Sequence, residues 1–178
     1  MVDPSLPFSE RDPVLVGPVF TEDAFTSILA EELKRLYVAT QPEQLDRAWR
    51  PAFADLDAIR ALLVETGRRL VLVVYPSRLQ VDPALREALV LKLRTRPPYA
   101  TLSPGDIDPL LPNTRLAAYC RSRHIPCFDL TSRLAEASQE AGEPLYKERD
   151  AHWTIRGNRV AAEAEAAYLA GLVCSAGT

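Results

Sequence analysis

Histidine, cysteine and glycine are scarce in this sequence, and each scarcity argues against a class of site. Two histidines and three cysteines (Cys120, Cys127 and Cys174) form no CxxC pair and no cluster with ligand spacing, so a structural zinc site is not expected. Only seven glycines are present, and none belongs to a glycine-rich loop after a strand, which disfavours a phosphate- or nucleotide-binding flavodoxin-like protein. We therefore expect neither a metal nor an organic cofactor.

A strong charge of one sign and long apolar runs are missing as well. The net charge is −3 and the arginines are scattered, so we expect no binding to nucleic acid. No apolar run is long enough to cross a bilayer, and the N-terminus lacks the basic and apolar regions of a secretory signal. The apolar fraction of 47% and charged fraction of 25% are typical of a globular domain. Compartment and oligomeric state stay open.

The strands are predicted from two β-branched or apolar runs. Four prolines indicate an irregular arm over residues 1–20, with a possible short strand at residues 14–16. Residues 21–178 are then expected to form one domain. Its clearest strand is the run from Arg69 to Tyr75, which is typical of a strand covered on both faces, and a second is predicted from Ile125 to Phe128.

Helices are predicted around these strands from capping residues and apolar spacing. Thr21 caps the first helix, which has Ile28 in its apolar stripe, while Pro51 starts or kinks the second, which buries Ile59 and ends near Gly67. Further helices are predicted from about Asp82, around residues 107–111, from Asn113, after Asp129, and from Thr154 or Asn158. Because strands and helices alternate, the predicted class is α/β with a parallel sheet.

The one segment that offers acid–base chemistry contains Asp150 and His152. An acidic residue two positions from a histidine can hold the imidazole in one tautomer, which leaves the other ring nitrogen free to act as a base. Most isolated Asp-x-His pairs are ordinary loop ion pairs or helix caps. Here the pair follows the apolar Leu145 and precedes a predicted helix, and loops at such positions often carry functional groups in α/β enzymes.

Three stretches, in this order and spacing, resemble the SGNH (GDSL-type) hydrolases. They are Val-Val-Tyr-Pro-Ser-Arg-Leu-Gln-Val at 73–81, Ile-Pro-Cys-Phe-Asp-Leu-Thr at 125–131, and the Asp-Ala-His-Trp-Thr block at 150–154. The likeness extends from about residue 52 to residue 169 and is closest to the bacterial branch that includes polysaccharide acetylation proteins.

The resemblance implies a flavodoxin-like three-layer sandwich with its site at the carboxyl ends of the strands. It also implies a Ser–His–Asp triad that cleaves or transfers an acyl group, so the expected partner is an acylated small molecule or an acetylated sugar. Asp150 would orient His152, which would deprotonate the serine and then protonate the leaving group. Trp153 would pack beneath the histidine loop. Full-length relatives are often exported or envelope-associated.

The nucleophile of that triad is not recognisable. The family's serine lies in a Gly-Asp-Ser block after the first strand, and here Gly105-Asp106 is followed by Ile107. Ser77 follows the best strand and is the candidate replacement, although a polar loop residue is the simpler interpretation. We expect the first strand to be missing too, which would expose a sheet edge to a second copy, a partner chain or residues 14–16.

Two functions follow as hypotheses. The first is an SGNH-like esterase or acetyl-transfer domain that keeps Asp150 and His152 but is weak or inactive alone, because both the nucleophile and the oxyanion donors are unrecognised. The alternative is a non-catalytic carbohydrate- or protein-binding module on the same fold, in which Tyr75 and Trp153 contact the ligand.

Overall fold

The computed structural model describes residues 19–38, 42–97 and 99–175. In chain order the elements are α1 (Glu22–Leu36), α2 (Pro42–Glu65), β1 (Leu72–Val74), α3 (Arg78–Val81), α4 (Pro83–Leu93), a 3-10 turn (Pro104–Asp106), α5 (Leu111–Arg123), β2 (Cys127–Asp129), α6 (Thr131–Gln139) and α7 (Ile155–Ser175). The predicted arm, apart from its last two residues, and the possible strand at residues 14–16 lie outside the described residues.

The two strands pair in parallel, which confirms the α/β class predicted from their alternation with helices. The register places Leu72 opposite Cys127 and Val74 opposite Asp129, and the described residues contain a two-stranded sheet. Strand β1 is shorter than the predicted run 69–75, and β2 is displaced towards the C-terminus from the predicted run 125–128. The pairing begins at the bond from the Leu72 N–H to the Pro126 carbonyl and ends at the bond from the Leu130 N–H to the Val74 carbonyl, so the ladder sets their length.

Apolar clusters contact both faces of the strand pair. Val73 and Phe128 pack with buried residues of α6 and α7, and Phe128 stacks on Tyr168 with ring centroids 4.5 Å apart. Their neighbours Leu72 and Cys127 pack in a separate cluster with α2 and α5. Alternate side chains of a strand point to opposite faces, which explains the division. A further cluster joins α1 to α4.

Three predicted helix starts are confirmed, and in each a side-chain oxygen caps the helix. The Thr21 Oγ1 accepts a hydrogen bond from the Ala24 N–H at 3.3 Å, and Asp82 Oδ1 accepts one from the Leu85 N–H at 2.9 Å. Thr154 Oγ1 accepts a bond from the Gly157 N–H at 3.1 Å, so Thr154 rather than Asn158 begins the last helix. Each oxygen satisfies an N–H that has no partner within the first helical turn.

The second helix differs from its prediction. It begins at Pro42 and continues through Pro51, so Pro51 does not start it. Aromatic packing on both sides of this proline holds the helix together: Phe53 lies 5.5 Å from Trp49 and stacks on Tyr119 of α5 at 4.6 Å. The predicted burial of Ile59 is also wrong, because Ile59 is 46% exposed. Ile28 of α1 is likewise exposed.

The region before α5 also corrects the sequence interpretation. The short helix predicted at residues 107–111 is absent, and a 3-10 turn lies earlier, at Pro104–Asp106. Asn113 does not cap α5, since the helix has already begun at Leu111. Its buried amide instead donates to Asp129 Oδ2 at 2.7 Å and to Thr131 Oγ1 at 2.8 Å, partners that only the folded chain brings near it.

Candidate active site

The segment from residue 145 to residue 154 is a closed loop that presents Asp150 and His152. Tyr146 and Trp153 form an antiparallel bridge. The Lys147 N–H donates to the His152 carbonyl at 3.0 Å, so the chain enters and leaves the loop side by side. Arg149 turns the chain with a φ of 48°, a left-handed conformation that is uncommon outside glycine. The backbone of the loop therefore fixes the positions from which the side chains of Asp150 and His152 extend.

Contacts at Tyr146 and Gly157 help to attach this loop to the rest of the fold. The buried Tyr146 hydroxyl donates to the Pro76 carbonyl at 2.7 Å, which places the loop beside the carboxyl end of β1. Gly157, in the first turn of α7, lies directly against the loop, because a Cβ added there would be 2.2 Å from the Leu145 carbonyl oxygen. Glycine is required by close approach at this point.

Asp150 and His152 form the predicted pair. Asp150 Oδ1 lies 2.7 Å from His152 Nδ1 and also accepts the His152 backbone N–H at 3.1 Å. The Asp150 side chain is 4% exposed, whereas that of His152 is 81% exposed. Burial alone would raise the pKa of the Asp150 carboxyl, but the two hydrogen bonds from His152 outweigh it and the pKa lies below its ordinary value. The carboxylate is thus held in its charged form against the ring.

The exposed ring of His152 lines an open cavity of about 790 Å³ at the end of β1. Since Nδ1 is held by Asp150, Nε2 is the nitrogen that can exchange a proton with a bound molecule. The cavity wall also includes Tyr75, Ser77, Lys147, Trp153, Asn158 and Glu165. Four of the five site candidates predicted from the sequence therefore line one cavity, and the fifth, Asp150, is buried against His152.

Ser77 shares this cavity, but its hydroxyl is committed elsewhere. Its Oγ lies 2.7 Å from the Tyr37 hydroxyl, and that phenol donates its own proton to Glu32 at 3.0 Å. The Ser77 hydroxyl is therefore engaged by a hydrogen bond to Tyr37. The Ser77 backbone N–H donates to Gln80 Oε1 at 2.9 Å, and Ser77 is the N-cap of α3. Among the described residues, no hydrogen bond joins Ser77 to His152.

Tyr75 and Trp153 form an aromatic wall of the cavity. Their ring centroids lie 5.3 Å apart in an edge-to-face arrangement, and the Tyr75 hydroxyl donates to Glu165 Oε2 at 2.8 Å. Tyr75 is 52% exposed, while Trp153 is half-buried and packs against the core cluster of α6 and α7. The aromatic wall thus reaches from solvent to the core.

Several lining residues were missed from the sequence. Asn158, Ala161, Ala162 and Glu165 lie on α7 at the spacing of one helix face, a pattern that could have indicated a wall once the loop was placed. Lys147 carries no such signal, because only the folded loop brings it to the cavity.

Two other polar residues lie apart from this cavity. His124, the second histidine of the sequence, is exposed at the end of α5, where it adopts a φ of 57°. Asp129 Oδ1 accepts the Thr131 N–H at 2.9 Å just before α6, although the N-cap position of that helix is Leu130. Across the described residues, no cluster of three or more His, Cys, Asp and Glu side chains is placed to hold a metal ion. No helix in the same ranges is long and apolar enough to span a membrane.

Comparison with known families identifies the chain. The family described as "SGNH hydrolase-like domain, acetyltransferase AlgX" matches it from residue 35 to residue 176, a span that contains β1, β2, the closed loop and all of α7. Searches among curated proteins and among solved structures found no match. The chain therefore belongs to the SGNH hydrolase-like domain family of the acetyltransferase AlgX.

Proposed function

We propose that this chain is an SGNH-like domain in which Asp150 and His152 act as the acid–base pair for hydrolysis or transfer of an acetyl ester. The observation that carries this proposal is the 2.7 Å bond between Asp150 Oδ1 and His152 Nδ1, with the ring otherwise exposed to a cavity. Membership of an acetyltransferase-related family supports the acetyl group as the one transferred. An acetylated sugar or a small acyl ester is the proposed partner.

His152 would work by moving one proton. Nε2 would accept the proton of an attacking hydroxyl as the carbonyl carbon–oxygen bond forms, and would return it to the leaving oxygen when the ester bond breaks. Asp150 would stabilise the imidazolium between these steps, because its buried carboxylate is bonded to Nδ1. No metal or organic cofactor is needed for this sequence of steps.

A flavodoxin-like three-layer sandwich is the arrangement we propose for the whole domain. It is supported by the parallel pairing of β1 and β2 and by apolar clusters against both faces of the pair. The two-stranded sheet of the described residues has two outer edges, which a second copy or a partner chain would extend by strand pairing. Equilibrium sedimentation tests this: a monomer at high concentration would contradict self-association.

The nucleophile is the open part of the mechanism. No Gly-Asp-Ser block occurs in the sequence, and the Ser77 hydroxyl is hydrogen-bonded to Tyr37. We therefore expect little or no esterase activity from the isolated chain. A fluorophosphonate probe, followed by peptide mapping, would identify any serine that His152 activates. Labelling of Ser77 that disappears in His152→Ala would overturn the assignment of Ser77 as a capping residue.

Hydrolysis of p-nitrophenyl acetate tests the acid–base pair directly. Any turnover above the buffer rate should fall by about 10²-fold or more in His152→Ala, because general-base assistance is lost. His124→Ala is the matched control, since it removes the other histidine, which lies on the surface at the end of α5. Activity that survives in His152→Ala, or falls equally in both variants, would contradict the proposed role.

The engaged hydroxyl of Ser77 also favours the alternative, a non-catalytic binding module. In that case the cavity would hold a carbohydrate against the aromatic wall of Tyr75 and Trp153. Calorimetric titration with an acetylated oligosaccharide should then give saturable binding without product, and Tyr75→Ala should weaken it by roughly tenfold. Binding unchanged by Tyr75→Ala would exclude the aromatic wall as the contact surface.

A further inference from the structure

Cys120 and Cys127 are brought together by the connection between α5 and β2. Cys120 lies in the last turn of α5, and the Ile125 N–H donates to its carbonyl at 2.9 Å. His124, in the left-handed conformation, reverses the chain after the helix. Cys127 is the first residue of β2 and belongs to the strand face that α5 covers. The turn thus folds the second thiol back onto the first.

The two side chains share one environment in this arrangement. Both pack in the same apolar cluster between the sheet and α5, and both line one cavity of about 240 Å³ with Asp129 and Arg121. Cys120 is 2% exposed and Cys127 is only partly buried, so the cavity gives a small reagent access to the second thiol first. Cys174, on α7, is exposed and belongs neither to this apolar cluster nor to the lining of this cavity.

Their environments suit two different roles in thiol exchange. Burial and the hydrogen bond to Cys127 raise the pKa of the Cys120 thiol to about 12, so it is a poor first nucleophile. A buried thiol that already contacts its partner can nevertheless resolve a mixed disulfide, because the attack is then intramolecular.

We propose that Cys120 and Cys127 are a disulfide-forming pair that reversibly links α5 to β2. The oxidant is a low-molecular-weight disulfide, such as oxidised glutathione. The Cys127 thiolate forms a bond to one sulfur of the oxidant, and the first glutathione leaves with the proton that Cys127 lost. The Cys120 thiolate then bonds to the Cys127 sulfur and expels the second glutathione. Two protein thiols are oxidised, and one external disulfide is reduced to two thiols.

The experiment uses the full chain with Cys174→Ser, which leaves only this pair to titrate. After incubation with oxidised glutathione, the number of alkylatable thiols in the unfolded protein should fall from two to none. Trypsin should then release residues 116–121 and 124–133, which contain Cys120 and Cys127, as one cross-linked product that dithiothreitol separates. Closing this short loop should also raise the Tm by roughly 5 °C.

The single-cysteine variants distinguish this from general thiol reactivity. Cys120→Ala should stop at a mixed disulfide between Cys127 and glutathione. If that variant does not fold, Cys127→Ala serves instead and should remain unmodified at Cys120. A stable glutathione adduct on Cys127 when Cys120 is present, with no cross-linked peptide, would overturn the proposal. So would two thiols that remain free at the end of the incubation.

Discussion

The two sides of the cavity at the end of β1 differ in how their polar groups are held. On the loop side, Asp150 engages one nitrogen of His152 and leaves the other exposed. On the strand side, the hydroxyl of Ser77 is bonded to Tyr37, and its backbone caps α3. Both sides face the same space, yet only the loop side presents a group free to react. Position at the end of a parallel strand is thus insufficient to make a serine nucleophilic.

The largest effect on this comparison is expected from a substitution at the base of the loop, which should displace the loop side of the cavity. In Gly157→Ala the new Cβ would meet the Leu145 carbonyl oxygen at 2.2 Å, so the loop or the start of α7 must shift. We expect a loss of about 3 kcal/mol or more in the free energy of unfolding. Gly171→Ala is the control, because nothing lies within 4 Å of its Cβ and alanine favours a helix. Chemical denaturation of both variants measures the difference, and equal stabilities would contradict the close approach.

Replacing the acid should cost less and should depend on pH. The pKa of Asp150 is lower in the folded chain than its ordinary value of 3.8, so its charge stabilises the fold above about pH 4. That contribution is lost as the pH falls through the folded pKa. Asp150→Asn should therefore be less stable than the parent by about 1–2 kcal/mol at pH 6. The difference should shrink below pH 4; urea titrations at both pH values check this, and a constant gap would argue against the ion pair.

The strand side is tested by removing the Ser77 hydroxyl. Ser77→Ala should reduce stability by about 1 kcal/mol, because Tyr37 loses a buried partner. It should leave any p-nitrophenyl acetate turnover unchanged. Tyr37→Phe frees the same hydroxyl without removing it, and provides the sharper comparison. A gain of activity in Tyr37→Phe that Ser77→Ala abolishes would show that Tyr37 restrains a real nucleophile.

The smallest effect is expected at the exposed end of the aromatic wall. Tyr75→Phe removes the hydroxyl that bonds to Glu165 at 2.8 Å but keeps the ring against Trp153. Since the group is half exposed, the stability change should be less than about 0.5 kcal/mol. Thermal unfolding of Tyr75→Phe beside Tyr75→Ala separates the hydroxyl from the ring. A larger loss in the phenylalanine variant would mean that the bond, rather than packing, holds the wall.

Local chemistry explains why much of the fold was predictable. Thr21, Asp82 and Thr154 cap helices because a side-chain oxygen satisfies an N–H three residues ahead, a relation that sequence spacing contains. The prediction at Asn113 was wrong because its buried partners are on β2 and α6. Pro51 does not start the second helix, and the neighbouring Phe53 stacks on Tyr119 of α5, a partner that lies far away in the sequence.

The pair of Asp150 and His152 was readable from sequence because its members are two residues apart, and so close a pair needs little from the rest of the chain to meet. The cavity before it and the hydrogen bond from Tyr37 to Ser77 depend on segments that fold together from a distance. Hydrogen bonds across a sheet or between helices have no fixed sequence spacing. The sequence thus determined which acid–base chemistry is available, and the tertiary structure decided which side chains can take part.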